Sequence, residues 1–193
     1  SQTSRRVIEL LVGMGLKPVA VRHPMPYGDL VKQKVQRFAT VADLKKHKCT
    51  IEEMEEYEPH VVTKRNVIYA GVDYEAILRQ AEKDPDGCAV IIWDGGNNDF
   101  PFYQPDLTIG VVDPLRPNAE GSYYPGEVMA RISDVICINK IDSATLEDIN
   151  TVRRNIAKIN PKAKVIDAAS YLTVDKPELI KGKKVLVVED GPT

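Results

Sequence analysis

Aromatic residues make up only 6% of the 193-residue chain, with a single tryptophan, and cysteine occurs three times. Cys49, Cys88 and Cys137 are odd in number, far apart and in no metal-ligand spacing. That excludes a disulfide framework and a zinc site, and it suits free thiols in a reducing cytoplasm. No run of about 18 apolar residues occurs, so no transmembrane helix is expected. A basic excess is also missing: 26 Lys and Arg stand against 28 Asp and Glu, a net charge of -2. A duplex-binding protein usually carries a clear positive balance, so nucleic acid is not an expected partner. No signal peptide is visible in the given residues, whose N-terminus reads as cut, and no internal repeat, low-complexity tract or convincing linker is found. What remains is ordinary globular composition, 43% hydrophobic, enough for one substantial core, read as a single domain over residues 1–193.

The apolar pattern alternates between helical and strand signals. Val7, Leu10, Leu11 and Met14 fall at i, i+3, i+4 and i+7 and predict an opening helix, stopped by Gly15 with Pro18 beyond it. Lys17 to Arg22 reads as a strand, and His23 to Gly28 as a loop rich in proline and glycine. Leu30 to Ala39 is expected to be helical. So is the stretch after Thr50, where Thr50 and Glu53 form a capping-box pattern. Val67 to Ala70 is a strand candidate, and Asp73 caps a helix with Tyr74, Ile77, Leu78 and Ala81 on one face. Five non-alternating apolar runs follow: Cys88 to Trp93, Leu107 to Val112, Val135 to Ile138, Ala163 to Ile166 and Val185 to Val188. Runs of this kind suit strands buried on both faces of a parallel sheet. With the helical segment Leu146 to Ile159 between the third and fourth runs, the fold class is α/β, three-layered around a mainly parallel sheet.

In such a sheet, ligands bind beyond the carboxyl ends of the strands. The residues there are Arg22 and His23, then Asp94 to Asp99 (DGGNND), Asp113, Asn139 to Asp142 (NKID), and Ala168-Ala169-Ser170. Asn-Lys-x-Asp at a strand end is a guanine-reading pattern. The Asp142 carboxylate can accept from the base's ring N–H and exocyclic amine, Lys140 can lie along the ring, and Asn139 can tie loops together. Ser170 lies in a loose match to the Ser-Ala-x loop that touches the same base. Asp94, ending a buried run, stands where P-loop enzymes place the carboxylate that organises Mg²⁺ and the attacking group. The glycines after it let backbone amides approach a phosphate, while Asn97 and Asn98 are placed to orient a substrate or water. No glycine-rich G-x-x-x-x-G-K-[ST] loop is present. Ser1, in the first turn of a helix, matches the Mg²⁺-ligating serine of such a loop, with strand, loop and lysine expected ahead of it. Arg22, His23, Tyr27, Arg37, Arg116, Tyr123 and Tyr124 form a looser anion-binding set. His47 and His60 show no partner in the sequence.

Together SQTSR, VRHPMPYGDL, VQRFAT, CTIEEMEEYEPH, YAGVDYE, WDGGNNDFPF, YYPGE, INKID and VLVVEDGPT resemble the family of predicted GTPases that includes cyclic 2,3-diphosphoglycerate synthetase. The resemblance runs over essentially the whole chain. It implies a P-loop NTPase-like domain, truncated at both ends relative to the family and lacking its first strand and Walker A loop. It also implies Mg²⁺ as cofactor and GTP or ATP cleavage driving phosphoryl transfer or ligation on a small phosphorylated acid. Mapped onto this chain, Ser1 and Asp94 serve metal and phosphates, Asn139, Lys140 and Asp142 hold the base, and Arg22, His23 and Arg116 face an anionic substrate. Two other readings stand beside this one: a regulatory GTP switch acting on a protein partner, and a fragment without activity of its own. The isolated 193 residues are expected to be catalytically inactive. Assembly with further copies stays open.

Overall fold

The computed structural model describes residues 1–22, 28–64, 66–95 and 100–187. Its first half is built on helix α1 (Gln2–Gly13) and strand β1 (Pro18–Arg22). There follow β2 (Gln36–Phe38), α2 (Val41–Lys46), α3 (Ile51–Pro59), a π-helical turn His60–Lys64, β3 (Ile68–Ala70), α4 (Tyr74–Ala81) and β4 (Val90–Asp94). The second half contains β5 (Ile109–Val112), α5 (Ala119–Ser122), α6 (Tyr124–Ile132), β6 (Val135–Ile138), α7 (Leu146–Ile159), β7 (Lys164–Asp167) and a 3₁₀ turn Pro177–Leu179.

Local chemistry accounts for most helix ends. Ser1 caps α1 by accepting from the Ser4 N–H, and Gly15 closes the C-terminal turn with φ +78°. Thr50 and Glu53 form the expected capping box of α3, and Asp73 caps α4. Thr145 caps α7, which runs from Leu146 to Ile159 as its periodicity predicts.

The strands form an α/β fold with mainly parallel pairing, as expected, but in two hydrogen-bonded sheets rather than one. The first has the order β2-β3-β1-β4, with β1 parallel to both β3 and β4 and β2 antiparallel to β3. The second is β5-β6-β7, all parallel. Among the described residues, β4 and β5 each leave one edge unpaired.

Burial explains the layering of the first sheet. Ala20, Phe38 and Ile68 pack against Ile8, Leu44 and Tyr57 on one face, while Val19, Val21 and Tyr69 pack against Ile77 and Ala81 on the other. Helices thus cover both faces, and each fully buried aliphatic side chain contributes about 2 kcal/mol of apolar transfer. In the second sheet, Ile136 and Ile138 pack on Ala130, Val152 and Ile156 of α6 and α7.

Four expectations are corrected. Leu30 to Ala39 is a turn followed by the short β2, because Gln36 and Phe38 point into the core only when paired with β3. The stripe Val7, Leu10, Leu11, Met14 is not the buried face of α1; Ile8 is fully buried, while Leu10 and Met14 are exposed. β7 is a strand but not one buried on both faces, since all four of its residues are exposed at the sheet's edge. Val185 to Val187 form no strand and are exposed, with Val188 outside the described residues. An apolar run becomes a strand only where an edge accepts it, and none pairs with this one.

Arg37, a candidate anion reader, is committed elsewhere. Its guanidinium forks onto Asp84 at 2.7 and 2.9 Å and reaches Asp86 at 2.5 Å, and the Tyr69 hydroxyl donates to Asp84 at 2.7 Å. Burial pushes the Asp84 pKa up, but the Arg37 fork and the Tyr69 hydroxyl outweigh it and hold the carboxyl below its ordinary value. A depressed folded pKa means that this stabilisation is present above the ordinary aspartate range and lost as pH falls through the folded value. Asp84→Ala is expected to cost about 3 kcal/mol, because Arg37 and Tyr69 both lose a buried acceptor. A urea midpoint unchanged in this variant would contradict that assignment.

Candidate functional site

Asp94 ends β4, in register with Arg22 at the end of β1, and is 1% exposed. The N-terminus of α1 sits over it. The backbone nitrogen of Ser1 donates to Asp94 Oδ2 at 2.6 Å, and the Ser4 hydroxyl donates to Oδ1 at 2.8 Å. The Ser1 and Ser4 hydroxyl oxygens are 2.8 Å apart, so two hydroxyls and one carboxylate share a small space. Arg22 Nη1 donates to the Asp94 carbonyl at 3.3 Å and lies 3.5 Å from Oδ1, while Nη2 donates to Glu56 of α3 at 2.7 Å. Burial works against ionisation of Asp94. The Ser4 hydroxyl and the Arg22 guanidinium pull the other way.

His60 joins this group from the turn after α3. It is 1% exposed, with Nε2 4.0 Å from Asp94 Oδ2 and Nδ1 3.3 Å from Asn66 Oδ1. Burial pushes its pKa down to about 4, against the opposing pull of Asp94. No sequence signal announces this: Asn66 is near in the chain, but Asp94 arrives on a different strand.

The second group gathers beyond β6. Thr145, not Asp142 or Ser143, caps α7, so the Asp142 carboxylate is not consumed by the helix. Asp142 is exposed; its Oδ1 accepts from the Ser170 N–H at 2.8 Å. Lys140 takes the left-handed φ of +55° and donates to Asp113 at 2.8 Å, and the Asn139 N–H donates to the Val112 carbonyl at 3.0 Å. The loop after β6 is thereby tied to the ends of β5 and β7. The Ser170 hydroxyl also donates to Gln2 Oε1 of α1 at 2.8 Å, a bond between residues 168 positions apart. Ser1, Ser4 and Asp94 on one side, and Asp142 and Ser170 on the other, therefore meet at one helix end.

Not every candidate joins them. Arg116 lies exposed in a turn where its N–H donates to the carbonyl of Asp113, the residue whose carboxylate accepts from Lys140. Tyr124 meets Phe100 edge to face at 6.3 Å. His23, Tyr27, Asn97 and Asn98 lie outside the described residues. An aromatic cluster escaped the sequence reading: Trp93 meets Tyr74 and Tyr103, Tyr74 meets Phe102, and the Tyr103 hydroxyl donates to the Tyr74 carbonyl at 2.7 Å. In the sequence, Trp93 directly precedes the DGGNND segment, and Phe102 and Tyr103 follow it.

Among the described residues, no group of three or more His, Cys, Asp or Glu is placed to hold a metal unaided. Asp94 with the Ser1 hydroxyl nearby fits a hard cation that keeps most of its ligands as water and phosphate, the habit of Mg²⁺. No described helix is long and apolar enough to cross a membrane.

Comparison with known proteins gives two relatives. The chain is 66% identical along its whole length to arginine synthetase ArcE of Thermococcus kodakarensis, of which it covers 42%. It is 31% identical over 106 residues to cyclic 2,3-diphosphoglycerate synthetase of Thermococcus sibiricus, covering 23% of that protein and 53% of this chain. The chain thus spans less than half the length of these curated relatives. No family model matches it. The second relative carries the resemblance noted from the sequence, over about half of the chain; the arginine synthetase is the stronger match, and no motif had pointed to it.

Proposed function

We propose that this chain is the nucleoside-triphosphate-handling part of a magnesium-dependent synthetase. The observation that carries the reading is the Gln2–Ser170 hydrogen bond, which joins the Asp94 group to the Asp142 group at the end of α1. Phosphates at the α1 N-terminus would face its free N–H groups and positive dipole end, and a base would lie toward Asp142 and Ser170. Asp94 and Ser1 would hold the magnesium, with bound cation supplying charge compensation for the triphosphate. Asp94 is suited to this because it is buried, accepts from the Ser1 nitrogen and the Ser4 hydroxyl, and lies 3.5 Å from the Arg22 guanidinium. Arg22, His23, Asn97, Asn98 and Arg116 remain the proposed substrate-facing set. For Arg22 this requires exchange of its Glu56 contact for the substrate.

The whole-chain relative is named for arginine, which favours an acceptor leading to a guanidinium product over a phosphorylated acid. Both relatives are named synthetases, which favours ligation over a regulatory GTP switch. A synthetase forms arginine in step with triphosphate cleavage; a switch hydrolyses slowly whatever small molecule is present. A parallel strand between the open edges of β4 and β5 would unite the two sheets in a P-loop-like arrangement. The relatives have more than half of their length outside this match from which to supply it.

Base selection tests the Asp142 assignment. In the full-length protein, Asp142→Ala is expected to change the GTP-to-ATP affinity ratio by at least about tenfold, the worth of one or two lost hydrogen bonds from a base to a charged acceptor. A ratio unmoved by the substitution would reduce Asn139 to Asp142 to a loop that ties β5 to β7.

A further inference from the structure

The hydrogen bonds around His60 fix where its proton sits. Asn66 is buried, and its Nδ2 donates to the Val67 carbonyl at 2.9 Å, a partner that can only accept. The Asn66 amide is therefore oriented with Oδ1 toward His60, and an amide oxygen there also only accepts. The ring nitrogen facing it, Nδ1, must carry the hydrogen. Nε2 is left with a bare lone pair, and what it faces is Asp94 Oδ2, 4.0 Å away.

Two acceptors turned toward one another in a site this buried repel unless a donor lies between them. The separation is one that a single water, at an ordinary hydrogen-bond distance of about 2.8 Å from each, spans. We propose that His60 is a positioning residue whose Nε2 joins Asp94 Oδ2 in holding one water of the cation bound at Asp94. This rests on the reading of Asp94 as the magnesium carboxylate. Ligands and their outer partners are coupled in this way in metal sites generally: the outer group aims the inner one and is worth about 10- to 100-fold in affinity.

The tests use the full-length protein. Nitrogen NMR of the His60 ring, in metal-free buffer, is expected to show Nδ1 protonated and Nε2 bare; the opposite tautomer would overturn the proposal. Mn²⁺ titration in the presence of ATP or GTP is expected to weaken about tenfold in His60→Leu. Triphosphate affinity without metal should stay within about twofold, since His60 touches no phosphate in this scheme. His60→Gln should recover most of the Mn²⁺ affinity, because its side-chain oxygen restores an acceptor. Asn66→Ala, which frees the Nδ1 proton and keeps the imidazole, should weaken Mn²⁺ binding like His60→Leu, and serves where the leucine variant folds poorly. Unchanged Mn²⁺ affinity in His60→Leu and Asn66→Ala overturns the proposal. Equal losses of metal and nucleotide affinity in the Leu and Gln variants, with lowered melting temperatures, overturn it in favour of a packing role. A wild-type protein that binds no Mn²⁺ defeats the magnesium reading itself, an outcome distinct from a missing His60 effect in a protein that does bind it.

Discussion

Replacing Asp94 by asparagine in the full-length protein is expected to lower triphosphate turnover about a thousandfold or more, close to 4 kcal/mol of transition-state stabilisation. The size follows from what the carboxylate does in this site. It is buried, it accepts from the Ser1 nitrogen and the Ser4 hydroxyl, and it lies against the Arg22 guanidinium. Asparagine keeps the shape but removes the charge. One of its two ends must also present an N–H to a group that is itself a donor. Cation binding at this position and the orientation of the α1 N-terminus should fail together, while the core clusters on either side are untouched. Steady-state rates with ATP and GTP, beside a thermal melt showing that the fold survives, check this. Turnover within tenfold of wild type would remove Asp94 from the chemistry.

The largest effect on stability is expected at Gly71, just beyond β3. Its φ of +151° is a conformation that side chains rarely adopt, and a Cβ built there would lie 2.3 Å from the Lys34 carbonyl oxygen and 2.8 Å from that of Gln33. Neither oxygen can retreat cheaply, because the Val72 and Asp73 N–H groups donate to the Gln33 and Lys34 carbonyls at 3.0 and 3.1 Å. Those bonds hold the turn before β2 against the end of β3. Gly71→Ala must break them or strain the backbone, at about 3 kcal/mol or more. For a chain of this size that corresponds to a fall of roughly 6–12 °C in Tm. A variant melting within about 2 °C of wild type would contradict the close approach.

How far the sequence discloses all this depends on the range of the interaction. The caps at Thr50 and Asp73 and the apolar face of α7 lie within a few residues of what they organise, so their patterns are readable directly. β1, β4, β5 and β6 stand out as short apolar runs, although only β1 and β6 are largely buried, β4 being half-buried and β5 exposed at Val111. β2 does not, since three residues, Gln36 to Phe38, become a strand only by pairing with β3. Val185 to Val187 fail in the opposite sense: the composition of a strand is there and the partner is not.

The same distinction runs through the site. Asp94 and the Asn139 to Asp142 loop are visible because strand ends are where α/β sheets expose polar groups. Arg37 looks like an anion reader until Asp84 arrives from 47 residues away to claim it. His60 looks idle until Asp94 is brought beside it by β4. Contact between the two halves of the site passes through Gln2 and Ser170, neither of which any local pattern joins to the other.

The most direct test of the central claim is calorimetric titration of the full-length protein with ATP and with GTP, each with and without Mg²⁺, beside the Asp94→Asn variant. The account predicts saturable binding of at least one triphosphate, tighter with Mg²⁺, with the Mg²⁺ gain lost in Asp94→Asn. Absence of binding by either triphosphate, or a Mg²⁺ gain that survives the substitution, would contradict it.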